Sequence, residues 1–418
     1  MKYRAIRGAK DILPRESSKW QSVENTIRGA MHLWNYREIR TPVFEETGLF
    51  ARSIGELTDI VEKEMYTFND RSDTSLTLKP EMTASVVRAY IQHDLGGQRP
   101  LVKVFYIAPM FRQERPQAGR LRQFHQFGAE AIGSQQPEVD AELIALNLFI
   151  YEQLGIKNSI LKINSVGCQL CRPRYKEILK RFLEPMLTKL SAESQRRFQS
   201  NPLRVLDSKN ESDQKVTATA PLMKDHLCTD CADHFRVLQE HLRKMGVKPE
   251  VDGCIVRGLD YYTKTAYEIV SPELGSQDAL AGGGRYDLLV KELGGKETPA
   301  VGFAAGMERL LMVLEKQKYN FGEDLAPTLF LAATDEAGRT WAFEKAIELR
   351  SSGVACEVDF LRRSLKAQMK EADRQKVKFV VIVGEKELNE RRATLRDMET
   401  GTQEAVDFDR ILDHLKSR

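Results

Sequence analysis

The sequence has no long apolar run. A membrane-spanning helix needs about 18 or more consecutive apolar residues, and no such stretch occurs in this 418-residue chain. The amino-terminal residues MKYRAIRGAKD also lack the apolar centre of a secretion signal. Both absences predict a cytoplasmic protein that does not enter a membrane.

An excess of charge of either sign is also missing. The chain has 63 Lys and Arg against 60 Asp and Glu, a net charge of +3. A nucleic-acid binder usually carries a basic excess, so any RNA contact must come from a local patch. The hydrophobic content of 42% is ordinary for a globular protein, and the length allows two or three domains with their own cores.

Cysteine is scarce, and its spacing is informative. Six cysteines in a cytosolic chain favour free thiols or metal ligands over disulfides. Four of them form two Cys-x-x-Cys pairs at the ends of a charged, helical stretch: Cys168, Cys171, Cys228 and Cys231. Such pairs can hold a structural Zn²⁺. The separation between the pairs is longer than in ordinary zinc ribbons, so four unligated thiols are the alternative.

Two predicted strands, 101–107 and 124–132, organise the chain. The first is apolar and rich in β-branched and aromatic residues, and the second alternates. Gln126, Gly128 and Glu130 share one face of the second strand. Two polar groups thus flank a gap that suits a flat ligand. His125 points to the other face, which predicts a structural role.

The loop between these strands is rich in arginine. Guanidinium groups match phosphate and carboxylate oxygens, so the loop indicates a nucleotide site. A surface hairpin with a solvated charged tip is the alternative. The charged residues of the loop are Arg112, Glu114, Arg115, Arg120 and Arg122.

The segment FRQERPQAGRLRQFHQFGAE resembles motif 2 of class II aminoacyl-tRNA synthetases, and its wording is most similar to that of bacterial histidyl-tRNA synthetases. The resemblance implies that Arg112 binds the α-phosphate of ATP and the developing adenylate as a catalytic group. It places Glu114 and Arg120 in the ATP site, and Gln126 and Glu130 against the amino acid.

Two further segments resemble the same family. YREIRTPVFEETGLF is similar to motif 1, which implies a homodimer. In LTLKPEMTASVVRAY a strand turns into a helix at Pro80, and the resemblance implies that Glu81, Met82 and Thr83 bind the amino end of histidine. A carboxylate at a helix start is also a common cap. The family's usual Arg-Pro-Glu-Gly-Thr reads Lys79 to Thr83 here, with Met82 in place of Gly.

The stretch RGLDYYTKTAYEI, residues 257–269, matches the histidine-specific motif of the family. The resemblance implies that Arg257 is catalytic and contacts the α-phosphate and the histidine carboxylate, while Tyr261 and Tyr262 line the histidine pocket. Strict alternation puts Arg257 and Tyr262 on opposite faces, so we expect a bulge or a loop start near Gly258.

The stretch AVGFAAGMERLL resembles motif 3, in which Arg309 would bind the γ-phosphate. Upstream, Leu288 stands where the family usually has Gly. Beyond residue 328, strands and helices alternate, which predicts a small α/β domain with a mostly parallel sheet. The resemblance makes it an anticodon-binding domain. Arg362 and Arg363 are candidate RNA contacts, or simply an exposed charged helix entry.

The prediction is an α+β catalytic domain on an antiparallel sheet over residues 1–325, with a helical insertion at about 168–248, followed by an α/β anticodon-binding domain over 326–418. The resemblance implies an enzyme that activates L-histidine with ATP and Mg²⁺ and transfers it to the 3' end of tRNA(His). The alternative is a histidine-sensing regulatory paralogue, like the regulatory subunit of ATP phosphoribosyltransferase. Such paralogues usually lack the intact RGLDYY stretch and the carboxyl-terminal domain.

Overall fold

The chain forms two compact units, Met1–Phe321 and Gly322–Arg418. A computed structural model describes residues 3–54, 60–117, 119–208, 210–256, 259–277, 279–322 and 326–416. Within these ranges no helix is both long and apolar enough to cross a membrane.

The first unit is built on a large sheet with a small three-stranded sheet beside it. Its strands are β1 (Arg37–Glu38), β2 (Phe44–Glu46), β3 (Tyr66–Asn69), β4 (Ser75–Leu78), β5 (Val102–Phe111), β6 (Gln123–Ile132), β7 (Ile160–Ser165), β8 (Glu250–Val251), β9 (Thr263–Val270), β10 (Ala279–Arg285) and β11 (Ala300–Gly306). In the described ranges the large sheet has eight strands in the order β1-β5-β6-β11-β10-β9-β7-β8.

The six central strands pair antiparallel, and the short edge strands β1 and β8 pair parallel to their neighbours. The predicted pair β5 and β6 runs in unbroken register from Val102 opposite Ile132 to Phe111 opposite Gln123. The predicted antiparallel catalytic sheet is therefore confirmed, with parallel edges added.

The helices of this unit fall into a core set and an insertion. They are α1 (Pro14–Leu33), α2 (Thr47–Ile54), α3 (Thr83–Gln92), α4 (Leu95–Gln98), α5 (Pro137–Gln153), α6 (Cys171–Leu183), α7 (Ala192–Ser200), α8 (Leu203–Leu206), α9 (Glu211–Thr217), α10 (Thr229–Lys244), α11 (Leu289–Glu292) and α12 (Met307–Lys316). Helices α6 to α10 lie between β7 and β8, within the stretch that the sequence predicts as a helical insertion.

The two faces of β6 have different surroundings. Phe127, Ala129 and Ala131 are fully buried in the apolar cluster formed with α1, α5, α10 and α12. Glu130 belongs to the opposite face, where buried residues of α3 and α11 and several tyrosines collect. Because side chains alternate along a strand, β6 turns apolar side chains to one face and the buried carboxyl group of Glu130 to the other.

The second unit has its own core. Its elements are β12 (Leu329–Ala333), α13 (Glu336–Ser351), β13 (Cys356–Val358), α14 (Leu365–Arg374), β14 (Phe379–Val383), α15 (Glu385–Glu390), β15 (Arg392–Asp397), β16 (Gln403–Asp407) and α16 (Ile411–Lys416). The sheet order is β13-β12-β14-β15-β16. The first three strands are parallel, but β15 and β16 pair antiparallel. The prediction of a mostly parallel sheet is therefore wrong, because β15 pairs antiparallel to β14 and then forms a hairpin with β16.

Candidate active site

The start of α3 carries a buried carboxylate. Glu81 Oε2 accepts a hydrogen bond from the Thr83 amide at 2.7 Å, and Oε1 accepts one from the Ala84 amide at 2.9 Å. Burial raises the pKa of Glu81, and these two amides partly oppose that rise. The capping interpretation is confirmed, because both bonds satisfy first-turn donors. The predicted contact with a histidine amino group stays a prediction.

Glu130 lies at the centre of the polar face of the sheet. Its carboxylate accepts hydrogen bonds from the Thr83 hydroxyl at 2.8 Å and from the Tyr286 hydroxyl at 2.5 Å. Burial raises its pKa to about 8 against the opposing effect of the two hydroxyls, with a further rise from the Glu81 carboxylate. A Cβ on Gly302 would lie 1.5 Å from Glu130 Oε2, so this strand position must be glycine for the carboxylate to fit.

Four buried tyrosines surround this carboxylate cluster: Tyr106, Tyr261, Tyr262 and Tyr286. The rings of Tyr261 and Tyr262 lie 4.8 Å apart, and those of Tyr261 and Tyr286 lie 5.7 Å apart. Burial raises the pKa of Tyr261 and Tyr286 well above the ordinary value. Neutral hydroxyls therefore lie around the Glu130 carboxyl group, and they can donate or accept hydrogen bonds.

Tyr261 and Tyr262 precede β9, which begins at Thr263. Strict alternation therefore does not apply to them. Arg257 and Gly258 lie outside the described residues, so the expected bulge near Gly258 and the catalytic role of Arg257 stay predictions.

The space over Gly128 differs from the prediction. A Cβ on Gly128 would lie 2.4 Å from the Tyr106 hydroxyl and 2.2 Å from the carbonyl oxygen of Phe303. The expected gap for a flat ligand is therefore wrong: Tyr106, from the neighbouring strand, fills it. Gly128 is required here by close packing between strands.

A second group of predicted residues lines a cavity of about 250 Å³ at the end of β6. These residues are Arg112, Glu114, Arg120, Gln126 and Arg309. The structure thus brings together residues from motif 2 and motif 3 that are far apart in the chain. Gln126 turns its side chain towards this cavity, on the same face of β6 as Glu130.

The arginines of this cavity are held by backbone carbonyls. Arg112 Nε donates to the carbonyl of Pro80 at 2.9 Å, and its guanidinium lies 5.3 Å from the centre of the Phe124 ring. Arg309 donates to the carbonyls of Gly119 and Ala279 at 3.2 and 2.8 Å. These contacts fix the guanidinium groups in place, which preorganises their charge for an anionic ligand.

Glu114 lies between two of the arginines. Its carboxylate oxygens are 3.7 Å from Arg112 Nη1 and 3.3 Å from Arg120 Nη1. Arg120 is 42% exposed, whereas Arg112 is 20% exposed. Arg112 is therefore the more firmly placed of the two, and Arg120 the more solvated.

A larger cavity of about 640 Å³ adjoins this one and shares Gly119, Leu121 and Glu308 with it. His125 lies at its edge, with its ring edge-on to Trp20 and its Nδ1 atom 3.0 Å from Glu308 Oε1. These packing contacts agree with the structural role predicted for His125. The predicted arginines Arg112, Arg120 and Arg309 line the smaller cavity and not the larger one.

The two departures from the family pattern near α3 contact each other. Met82 Sδ lies 3.6 Å from Lys79 Nζ and 3.4 Å from Thr41 Oγ1. Met82 is almost fully buried, and its side chain packs into the apolar cluster beneath the pocket. The remaining departure, Leu288, has φ of −97°, which does not call for glycine.

Several residues that hold the site in place were not predicted from the sequence. Arg285, in the AGGGRYD stretch, forms a fully buried ion pair with Asp140 at the start of α5. Arg172 donates to the carbonyl of Tyr262 at 2.9 Å, and Asn201 donates to Asp260 at 3.0 Å. The insertion therefore holds the segment 259–262 at two points. The only sequence signal for them was their position beside motifs already identified.

The four paired cysteines also meet in space. The sulfur atoms of Cys168, Cys171, Cys228 and Cys231 all lie within 4.8 Å of one another. In the second unit, Arg363 forms ion pairs with Asp359 and Glu371. Arg362 is 73% exposed and lies 3.3 Å from Glu336 Oε1.

The antiparallel sheet with an arginine-lined cavity at its strand ends is the architecture expected of a class II aminoacyl-tRNA synthetase. The family description "Histidyl-tRNA synthetase" matches residues 8–310, and "Anticodon binding domain" matches residues 333–418. The chain belongs to the histidyl-tRNA synthetase family, which confirms the predicted resemblance.

Individual relatives agree over the full length. The chain is 52% identical to the histidine–tRNA ligase of Chloroherpeton thalassium, covering 96% of this chain and 95% of the relative. It is 48% identical to that of Halothermothrix orenii, covering 100% and 99%. The crystal structure of apo S. aureus histidyl-tRNA synthetase is 37% identical, with a TM-score of 0.84 over 99% of this chain and 100% of that one. The predicted fold class and enzyme class are confirmed, and the ligase is supported over the regulatory paralogue.

Proposed function

We propose that this chain is a histidine–tRNA ligase that forms histidyl-adenylate from L-histidine and ATP and transfers the histidyl group to the 3' end of tRNA(His). The main observation behind this proposal is that one face of β6 contributes a residue to each of two neighbouring sites. Gln126 lies at the arginine-lined cavity, and Glu130 lies in the carboxylate and tyrosine cluster. Four residues of strand separate them by about 13 Å, so the strand aligns a phosphate end with an amino-acid end.

The histidine end is built to accept a ring that donates a hydrogen bond. Thr83 and Tyr286 orient the Glu130 carboxylate, and it would accept the imidazole N–H and thereby select one tautomer. Tyr261 and Tyr262 would line the ring. The resemblance assigns the substrate amino group to Glu81 and Thr83, with Met82 beside them.

At the phosphate end, a histidine carboxylate oxygen attacks the α-phosphorus. A new phosphorus–oxygen bond forms, the bond to the bridging oxygen of the β-phosphate breaks, and pyrophosphate leaves. Arg112, with Arg257 by resemblance, would stabilise the charge that spreads over the α-phosphate oxygens. Arg309 would hold the γ-phosphate, with Arg120 and Glu114 beside the nucleotide.

Mg²⁺ enters as part of the ATP complex and neutralises phosphate charge. The carboxylates of Glu114 and Glu308 line the same cavity, and oxygen donors of this type suit that ion. In the second half-reaction a terminal ribose hydroxyl of the tRNA attacks the acyl carbon, and AMP leaves. The machinery consists of placed charges and donors, without a protein nucleophile.

The remaining partners follow from the family. We propose a homodimer formed through the motif 1 segment, and tRNA(His) binding through the carboxyl-terminal unit, where the exposed Arg362 is the candidate RNA contact. We also place the enzyme in the cytoplasm, because charged tRNA is consumed there by translation.

The test is amino-acid-dependent exchange of labelled pyrophosphate into ATP, run with histidine and with each of the other nineteen amino acids. We expect exchange with histidine alone, and a loss of at least about a hundredfold in Arg112→Ala and Arg257→Ala. Arg374→Ala is the matched control, since Arg374 is 76% exposed in the second unit and exchange needs no tRNA. Histidine binding without exchange would overturn the proposal in favour of a histidine sensor.

A further inference from the structure

We propose that Cys168, Cys171, Cys228 and Cys231 bind one structural Zn²⁺, and that this ion fastens the base of the insertion so that Arg172 is held against the histidine pocket. The site uses no residue of the reaction described above. It would act on the active site through the carbonyl of Tyr262.

The sulfur positions fit a tetrahedral ion. Cys168 Sγ lies 3.6 Å from Cys171 Sγ and 3.8 Å from Cys228 Sγ, and all four sulfurs lie within 4.8 Å of one another. A tetrahedron with zinc–sulfur bonds of about 2.3 Å has sulfur–sulfur edges of about 3.8 Å. A disulfide would need sulfurs about 2.05 Å apart, and these four cysteines are free.

The surroundings favour thiolates. Cys171 is the first residue of α6, and Cys228 is the N-cap residue of α10, so each pair lies at the positive end of a helix dipole. Backbone amides also point at sulfur: Leu170 N–H donates to Cys168 at 3.4 Å, and Cys228 N–H donates to Cys171 at 3.1 Å. Donors of this kind support ligands carrying negative charge.

Simple apolar packing does not explain why the four sulfurs converge on one point. Cys171 and Cys231 are 3% and 1% exposed and belong to the apolar core of the insertion, as small apolar residues do. Cys168 and Cys228 are half-buried and pack against the same core, yet all four sulfurs lie within 4.8 Å of one another. An all-sulfur tetrahedral site selects zinc or iron, and we commit to zinc because the proposed reaction transfers no electrons.

The proposed ion would close the insertion on itself. It would join Cys171 to Cys228 across a chain separation of 57 residues, and closing such a loop removes conformational freedom from the segment. Arg172 directly follows a ligand, and its backbone N–H donates to the carbonyl of Cys168 at 3.0 Å. The ion therefore anchors the residue whose guanidinium holds the Tyr262 carbonyl at 2.9 Å.

Metal content is the first measurement. Elemental analysis of the purified full-length chain should find one zinc per chain, and replacing it with Co²⁺ should give the intense visible bands of a tetrahedral cobalt thiolate. Cys168→Ser together with Cys228→Ser should lose the metal, whereas Cys254→Ser, a thiol outside the cluster, should keep it. A chain that takes up neither zinc nor cobalt, or that holds iron instead, overturns the site.

The link to histidine is tested on the folded wild-type enzyme, and it rests on the proposed function. Removing zinc with a chelator should raise the KM for histidine roughly three- to tenfold, as expected for the loss of a hydrogen bond to the pocket backbone. The KM for ATP should change little, and added zinc should reverse the effect. Metal content is independent of activity, so failure of the ligase proposal and failure of the zinc proposal are distinguishable.

Arg172→Ala completes the test. It should keep one zinc per chain and show the same rise in the KM for histidine, and chelation should then add almost nothing. Arg172→Lys should recover part of the loss. A KM for histidine that does not respond to zinc removal, or effects of chelation and Arg172→Ala that simply multiply, overturns the positioning role.

Discussion

Two buried carboxylates in the first unit, Asp140 and Glu130, have opposite kinds of partners. Asp140 is fully buried and pairs with the guanidinium of Arg285, which also donates to two backbone carbonyls. Burial acts to lower the pKa of Arg285, and the carboxylates of Asp140 and Asp287 together raise it above its ordinary value. Glu130 is equally buried, but within the described ranges it receives hydroxyl groups and forms no ion pair.

This difference in partners distinguishes a structural carboxylate from one that is available to a ligand. A buried charge with a complete set of partners has no capacity left for a ligand, and its role is to hold α5 against the end of β10. A buried carboxyl group supported only by neutral hydroxyls is costly to ionise, and its raised pKa reflects that cost. An N–H donor from a substrate would stabilise the ionised form of such a group. Glu130 is therefore the carboxylate that we expect to bind a ligand.

The largest effect should come from breaking the paired carboxylate. Arg285→Met leaves Asp140 buried without its cation, and removing one partner of a buried pair costs about 3–5 kcal/mol. Urea unfolding followed by circular dichroism measures the free energy of unfolding. The double variant Arg285→Met with Asp140→Leu is the control and should recover most of the loss. A cost below about 1 kcal/mol in the single variant would show that the pair is not structural.

Glu130→Gln should damage function more than folding. Glutamine cannot ionise, so the variant loses the charge-assisted hydrogen bond that ionised Glu130 would make to the substrate N–H. That loss costs about 1.5–3 kcal/mol, so kcat/KM for histidine in pyrophosphate exchange should fall by roughly ten- to a hundredfold. The KM for ATP is the internal control and should be nearly unchanged. An equal loss for both substrates would place Glu130 outside the histidine pocket.

The same variant should be more stable than the wild type at alkaline pH. The pKa of Glu130 rises from 4.5 to about 8 on folding, so between these values the unfolded chain has released a proton that the folded chain keeps. Wild-type stability contributed by this group is therefore present below pH 4.5 and is lost as the pH rises through 8. Glutamine does not titrate.

The measurement is Tm of both proteins at several pH values. The advantage of Glu130→Gln should grow between pH 5 and pH 8.5 to about 1–2 kcal/mol, because the lost hydrogen bonds offset part of the gain. A difference in Tm that is constant with pH would mean that Glu130 is ionised throughout.

The smallest effect should come from Thr83→Val. The Thr83 hydroxyl lowers the pKa of Glu130, so removing it should move the corresponding inflection in the pH profile of kcat/KM for histidine to higher pH. The rate should fall by about three- to tenfold near neutral pH. Thr83→Ser keeps the hydroxyl and should leave the inflection in place. An inflection at the same pH in both variants would show that the Thr83 hydroxyl does not influence the pKa of Glu130.

Local pattern was enough to predict much of this protein. Period-2 alternation predicted β6 and the shared face of Gln126 and Glu130, and the helical stripe after Gly306 placed Arg309 in the first turn of α12. These features follow from backbone geometry within a few residues, so they can be read from the local sequence without knowing which segments pack against it. The motifs added the enzyme class through resemblance.

Tertiary packing decided what each site became. Thr83 and Glu130 are 47 residues apart and Tyr286 is 156 residues from Glu130, so no local pattern could predict the cluster or its raised pKa. The prediction of a gap over Gly128 was wrong because Tyr106, on the neighbouring strand, fills it. The prediction of a mostly parallel sheet in the second unit was wrong because β15 pairs antiparallel to both of its neighbours. Periodicity determines which way a side chain points along its own element. What it meets there depends on which distant segment packs opposite, and that is set by the burial and pairing of the whole fold.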